Sequence, residues 1–160
     1  MRVGVVSDTH DNLRNVARIV ALLNGVGVDR VVHTGDVTQV KTLEVLAGLA
    51  APLYGVWGNN DLPRDVLEAA STDLGFDFAT SGRELRWSQR RILVVHDPRE
   101  IRERLNGHHL VLHGHDHRRR VELRAGSLIV NPGECAGHQE GRNAVAVVEL
   151  VSLEAEVLLF

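Results

Sequence analysis

A second cysteine is missing from this chain: Cys135 stands alone, so no internal disulfide can staple the fold, which fits a reducing compartment. Positive charge is not in excess either. With 18 lysines and arginines against 21 aspartates and glutamates, the net charge is -3, and nothing in that balance favours tight binding to a nucleic-acid duplex or an anionic membrane. No apolar run reaches the roughly 20 residues that span a bilayer. Met1 and Arg2 lead straight into an apolar segment with no signal-peptide pattern. Linkers, low-complexity stretches and internal repeats are also missing. These absences predict a cytoplasmic, single-domain protein (residues 1–160) for which neither nucleic acid nor membrane is implied as a partner, with a homo-oligomer left open.

The 160 residues are 44% hydrophobic and 24% charged, the balance of a globular domain able to bury its own core. Val3 to Ser7 is an apolar run with a hard polar stop at Asp8, as in a strand buried on both faces. Asn12 can cap a helix whose apolar positions, Leu13, Val16, Ala17, Ile19, Val20 and Leu23, recur at helical spacing until Gly25 and Gly27 close it. Arg30 to His33 and Pro52 to Trp57 repeat the strand pattern, followed by helical stretches at Val40 to Leu49 and Pro63 to Ala70. Three βα units in succession predict a parallel sheet with right-handed crossovers. The second half is strand-rich: Phe76 to Ala79, Glu84 to Trp87, Arg91 to Val95, His109 to Leu112, Val121 to Leu123 paired with Leu128 to Asn131, and a closing hairpin of Ala144 to Leu150 with Ala155 to Leu159. Only Ile101 to Leu105 reads as helix there.

Nine histidines matter through position, because most directly follow apolar runs. Asp8 and His10, then Asp36, Asn59, His96, and finally His115 and His117 follow five apolar strands. The carboxyl ends of strands in an open α/β sheet line one rim, where ligands bind. Carboxylates, an amide oxygen and imidazoles together suit a pair of divalent ions such as Mn²⁺, Fe, Ni²⁺ or Zn²⁺, and no thiolate cluster demands zinc. Asp36 has two oxygens with which to bridge such a pair at about 3.5–4 Å. Gly35, Gly58 and Gly114 precede Asp36, Asn59 and His115, where a missing Cβ permits sharp turns beside a crowded site.

Asp8-Thr9-His10, Gly35-Asp36, Gly58-Asn59-Asn60-Asp61, His96 and Gly114-His115-Asp116-His117 resemble, in order, the motifs of the calcineurin-like metallophosphoesterases. The resemblance is nearest to the small single-domain bacterial and archaeal phosphodiesterases of the YfcE type, and it extends to Asn131-Pro132-Gly133-Glu134-Cys135. It implies an α/β fold, a four-layer α/β/β/α sandwich of two mixed sheets flanked by helices. It also implies that Asp8, His10, Asp36 and His117 hold one ion while Asp36, Asn59, His96 and His115 hold the other, manganese ranking first. A hydroxide bridging the ions would attack phosphorus in a small phosphate ester, a diester in preference to a monoester.

Two departures from the family stand out. Asn60 occupies the place where the family's protein phosphatases put a histidine that protonates the leaving oxygen, so Asn60 is expected only to hydrogen-bond the phosphoryl group and to favour good leaving groups. Asp97-Pro98 follows His96 where relatives continue with glycine. Each motif alone has a plain structural reading, since Asp8 or Asp36 can cap a helix and Gly-Asn-Asn-Asp is ordinary turn sequence; five together at strand ends do not. His33 and His113 are expected to be buried or to hydrogen-bond behind the site, His108 and His109 to lie at the surface, and His138 to lie near the rim. Arg118 to Arg120 read as a solvated charged run, and Cys135 is left between a reactive thiol and a small turn residue. A non-catalytic scaffold, as in the retromer subunit of this fold, ranks below an enzyme because every ligand position is filled, and a nuclease lacks a basic groove.

Overall fold

The computed structural model describes residues 1–139 and 141–160. Its first half is the predicted parallel array, with β1 (Arg2–Val6), β2 (Arg30–His33), β3 (Leu53–Val56) and β4 (Asp77–Ala79) side by side and parallel. The closing hairpin, β10 (Ala144–Glu149) and β11 (Glu154–Leu159), adds antiparallel to β1 and completes a six-stranded mixed sheet. The second sheet has five strands: β5 (Arg83–Trp87), β6 (Arg90–Val94), β7 (Leu110–Leu112), β8 (Arg120–Arg124) and β9 (Ser127–Asn131), in the order β5-β6-β7-β9-β8. Within it β6, β7 and β9 run parallel, while β5 and β8 are antiparallel edges.

The two-residue alternation of strand side chains builds the layers. Val3 and Val5 of β1 and Val32 of β2 face the second sheet, where they meet Ile92, Val94, Leu110, Leu112 and Val130 in one buried cluster. Val6 and Val31 point to the other face, against Val16, Ile19 and Leu23 of α1 (Leu13–Val26) and Leu46 of α2 (Val40–Leu46). Leu67 of α3 (Arg64–Asp73) packs with Leu43 and Trp57 on the same side. Outside the second sheet, Leu93, Val111 and Ile129 are covered by Ile101 of α4 (Ile101–Arg104). The α/β/β/α sandwich is therefore present, with a thin fourth layer, since a single turn of α-helix extends the 3₁₀ turn Pro98–Glu100.

Local chemistry accounts for the element ends. The Asn12 side chain accepts a hydrogen bond from Asn15 N (3.2 Å) to start α1, and Gly27 ends it in a left-handed conformation with its N–H bonded to the Leu23 carbonyl. Gly25, read as a terminator, lies inside the helix. Helix α2 stops before Gly48, short of the predicted Leu49. No helix among the described residues is long and apolar enough to cross a membrane.

What matters for the site is direction. The carboxyl ends of β1, β2 and β3 in one sheet and of β6, β7 and β9 in the other emerge along a common rim, where Gly114 N donates to His96 O (3.1 Å), Asp8 N to Gly35 O (3.0 Å) and Cys135 N to Asp8 O (3.3 Å).

Candidate metal centre

Three of the five strand-end segments deliver donors in turns that use left-handed backbone. Asp8, His10, Asp36, His115 and His117 all have positive φ, between 40° and 72°, a left-handed region that costs a non-glycine residue about 1–2 kcal/mol. They are five of the eleven non-glycine residues with positive φ among the described residues, and backbone held in such conformations is a feature of functional sites. The glycines predicted to permit close approach do so. A Cβ on Gly114 would collide with Ser7 Oγ and lie 2.7 Å from Asp8 Oδ2 and 2.9 Å from Thr34 Oγ1; one on Gly58 would strike the Asp36 carboxylate. Gly114→Ala is expected to lower the melting temperature by about 3–10 °C, from an overpacking cost of about 1–3 kcal/mol, and to weaken metal uptake. A thermal melt with and without Mn²⁺ checks both.

The structure brings all seven sequence-predicted donors together. His96 Nε2 lies 3.0 Å from Asn59 Oδ1 and 3.2 Å from His115 Nδ1, and His115 Nδ1 is 3.0 Å from Asn59 Oδ1. Asp36 Oδ1 is 3.6 Å from His96 Nε2, while its Oδ2 is 3.4 Å from His10 Nε2. His117 Nε2 is 3.4 Å from Asp8 Oδ1. The donor atoms of Asp8, His10 and His117 form one compact group and those of Asp8, Asp36 and His96 another.

These spacings are also those of donors around a divalent cation. Donors about 2.1 Å from one ion and at right angles are separated by about 3 Å. His96 Nδ1 lies 2.8 Å from the Thr34 carbonyl, an arrangement that assigns the proton to Nδ1 and leaves Nε2 a lone pair aimed at the Asn59 oxygen. Lone pairs facing one another at 3 Å repel unless a cation sits among them. His10 Nε2 is buried with no hydrogen-bond partner among the described residues. Burial raises the Asp8 carboxyl above the usual carboxylate range, outweighing the hydrogen bond from Ser7 that lowers it, so the charged form has need of a nearby cation.

Behind the donors stands a set of acceptors the sequence did not reveal as such. Fully buried Asp61 takes hydrogen bonds from Asp36 N (3.0 Å) and Gly58 N (2.6 Å) on Oδ2 and from Thr38 N (2.7 Å) on Oδ1, tying the two turns together. Buried Glu134 lies 3.4 Å from His117 Nδ1, on the far side of that ring from Asp8. Asp97 lies 3.8 Å from His115 Nε2, and its hydrogen bonds from Arg99 hold its pKa down at about 2. The unusual Asp97-Pro98 step thus places a carboxylate behind a donor histidine. The signals were there: Asp61 and Glu134 both fall in the quoted motif segments.

The remaining expectations divide. His33 is buried, its Nδ1 accepting from Gly35 N (3.1 Å) and its Nε2 3.2 Å from Thr9 Oγ1; burial lowers its pKa to about 3, so it is neutral. His113 is likewise buried, and burial lowers its pKa. His138 is at the rim, its ring stacked 5.5 Å from that of His117 and its Nδ1 3.4 Å from Glu134. His108 corrects the surface reading: it is 2% exposed, with Nε2 3.1 Å from a Glu84 oxygen. A carboxylate on the neighbouring β5 lets it face inward, which nothing adjacent in sequence indicates. Cys135 is buried, its thiol donating to the Ala144 carbonyl (3.2 Å), and burial pushes its pKa up to about 12, so it is no reactive thiol. Asn60 is exposed at the mouth, with Nδ2 donating to Asp36 Oδ2 (2.7 Å).

Comparison with known proteins points one way. Residues 1–153 match the model of the calcineurin-like phosphoesterase superfamily domain. Phosphodiesterase MJ0936 of Methanocaldococcus jannaschii is 26% identical over 154 residues, covering 93% of each chain. The solved structure of an archaeal phosphodiesterase superposes with a TM-score of 0.91 at 25% identity over all of both chains. Yfce, a phosphoesterase from E. coli, shares the fold at a TM-score of 0.73, 20% identity and coverage of 99% of this chain and 98% of its own.

Proposed function

The chain belongs to the calcineurin-like phosphoesterase superfamily, and from that premise we propose that it is a divalent-metal-dependent phosphoesterase, a phosphodiesterase in preference to a monoesterase, with the whole site carried by one domain. The observation that supports this most is the setting of Asp36, whose Oδ2 faces His10 at 3.4 Å while Oδ1 faces His96 at 3.6 Å. One carboxylate turned toward two donor groups is what a bridge between two ions requires.

In this reading Asp8, His10, Asp36 and His117 would hold one ion, and Asp36, Asn59, His96 and His115 would hold the other. The mix of oxygen and imidazole donors suits manganese first, with iron, nickel or zinc as alternatives. Ions bound there would acidify a water to supply the nucleophile and would offset charge on the phosphoryl oxygens. The protein's own part is placement. Thr34 and Glu134 orient His96 and His117, Asp97 places a negative charge 3.8 Å from His115 Nε2, and Asp61 fixes the spacing of the turns that carry Asp36 and Asn59. Asn60 donates a hydrogen bond at the mouth but has no proton to transfer at neutral pH.

That last property favours diesters with good leaving groups, in keeping with the naming of the Methanocaldococcus relative as a phosphodiesterase. Parallel assays of bis(p-nitrophenyl) phosphate and p-nitrophenyl phosphate with added Mn²⁺ test the reading: the diester is expected to turn over faster, and no hydrolysis of either overturns it. Across a series of diesters, alkyl leaving groups should be cleaved about 10²-fold or more slowly than aryl ones, the scale of a missing general acid. Rates indifferent to leaving-group pKa, with chemistry shown to be limiting, would remove Asn60 from this role.

A further inference from the structure

Beside the donor cluster opens a cleft of about 330 Å³ lined by His117, Arg118, Arg119, Gly133 and Arg142. It begins at the metal centre, since His117 Nε2 lies 3.4 Å from Asp8. Arg118 and Arg119 are set by a braced turn: Asp116 Oδ1 accepts from both Asn131 Nδ2 (2.7 Å) and Arg118 N (3.1 Å). Gly133, with φ of 100°, gives N–H to Asn131 Oδ1 (2.9 Å) and passes Arg119 without a side chain between them. Arg142 arrives from a third segment, its N bonded to Gln139 O (3.2 Å).

The arginines of this cleft stand outside the surface ion pairs, as Arg86, Arg102 and Arg124 also do among the described residues. Arg83, Arg91, Arg99 and Arg104 each lie within 4.0 Å of a carboxylate, and Arg120 reaches both Asp116 and Glu122. Among the described residues no carboxylate comes within that distance of the guanidiniums of Arg118, Arg119 or Arg142. The whole chain is net negative, at -3, so three arginines that line one hollow with no ion-pair partner among the described residues do not follow from composition. A solvated charge run would account for Arg118 and Arg119 alone, but not for Arg142, 22 residues beyond Arg120 in the same hollow. Guanidinium forks match phosphate oxygens in pairs, and the volume lies at the small end of ligand pockets, about 300–1,000 Å³.

The geometry points to a second anion subsite: the substrate is a small phosphodiester that carries, besides the scissile group, a further phosphate held by Arg118, Arg119 and Arg142. This rests on the phosphodiesterase reading and narrows it. A long nucleic acid is disfavoured, because one cleft on an acidic protein does not track a backbone.

A matched pair of substrates tests it, thymidine 5′-(p-nitrophenyl phosphate) with and without a 3′-phosphate, each releasing p-nitrophenol from the same bond. The 3′-phosphate is expected to lower KM about tenfold or more. The combined variant Arg118→Gln, Arg119→Gln, Arg142→Gln should bring that ratio close to one. Equal charge removal at three exposed arginines that line no part of the cleft, Arg86→Gln, Arg102→Gln and Arg124→Gln, should preserve it. Titration calorimetry of the chelator-treated protein with inorganic pyrophosphate reads the subsite without catalysis: binding is expected in the unmodified chain and in the remote variant, and not in the cleft variant. If neither nucleotide is hydrolysed but the calorimetry behaves so, the phosphodiesterase reading falls and the anion subsite stands. A KM ratio near one in the unmodified enzyme, or pyrophosphate binding unchanged in the cleft variant, overturns the subsite.

Discussion

Asp36→Asn is expected to lower kcat for phosphate-ester hydrolysis by about 10³-fold or more while the protein keeps its fold. The substitution is nearly isosteric, and asparagine tolerates the left-handed backbone (φ 60°) that position 36 requires. One amide oxygen can still accept the hydrogen bond that Asn60 N gives to Oδ1 at 3.0 Å. The other atom, now an NH₂, would face His10 Nε2 and the Asn60 amide, where Oδ2 stands at 3.4 Å and 2.7 Å. It cannot ligate a cation, and the negative charge between the two donor groups is gone. Removing a single electrostatic contact from an active site costs about 10²–10³ in rate, and on the bridging proposal a bridge would be lost as well. Rates in saturating Mn²⁺ beside a thermal melt separate the outcomes; activity within tenfold of the unmodified protein would rule out Asp36 as the bridge.

Asp61→Ala should be the most damaging change to stability near the site. The carboxylate is fully buried and accepts three backbone N–H groups, from Asp36, Thr38 and Gly58. Truncation leaves those donors without partners in a space the methyl group does not fill. At about 1–3 kcal/mol for each buried donor left unpaired, the total is about 3–6 kcal/mol after partial relaxation. That is a large share of the stability of an ordinary domain and corresponds to a fall of about 10–20 °C in melting temperature for a chain of this size. Asp61→Asn, which keeps one accepting oxygen, should be milder in the melt yet still weaken metal binding by about 10–100-fold, because the turns bearing Asp36 and Asn59 lose their common tie. A melting temperature for Asp61→Ala within about 3 °C of the unmodified protein would contradict the role given to this residue.

Strand ends were the most legible part of the chain, for a physical reason. A short apolar run with an abrupt polar stop reads as a buried strand leaving the core, so β2 was predicted at Arg30 to His33 and lies there. The seven candidate donors drew notice because they follow such runs, and the fold brings them to one rim. Helix α1 runs past Gly25 because, flanked by well-packed residues such as Leu23, one glycine costs less than breaking the helix. Sheet composition was less accessible. The placing of β9 between β7 and β8 depends on contacts between distant segments, and the pairing of two facing sheets came from resemblance, not from periodicity.

Least legible were the groups behind the donors. Asp61 and Glu134 fall within motif segments and Asp97 beside His96, but their roles were not legible, because only folding turns them toward backbone amides or histidine rings. The same holds for His108, whose inward setting depends on Glu84 across the sheet. Arg142 had no local signal at all.

The central claim, that Asp36 sits between two cations, is tested most directly by anomalous diffraction at the manganese edge from crystals grown with Mn²⁺. Two peaks about 3.5–4 Å apart, with one Asp36 oxygen directed to each, are expected. A single peak, or a pair that shares no contact with Asp36, would contradict it.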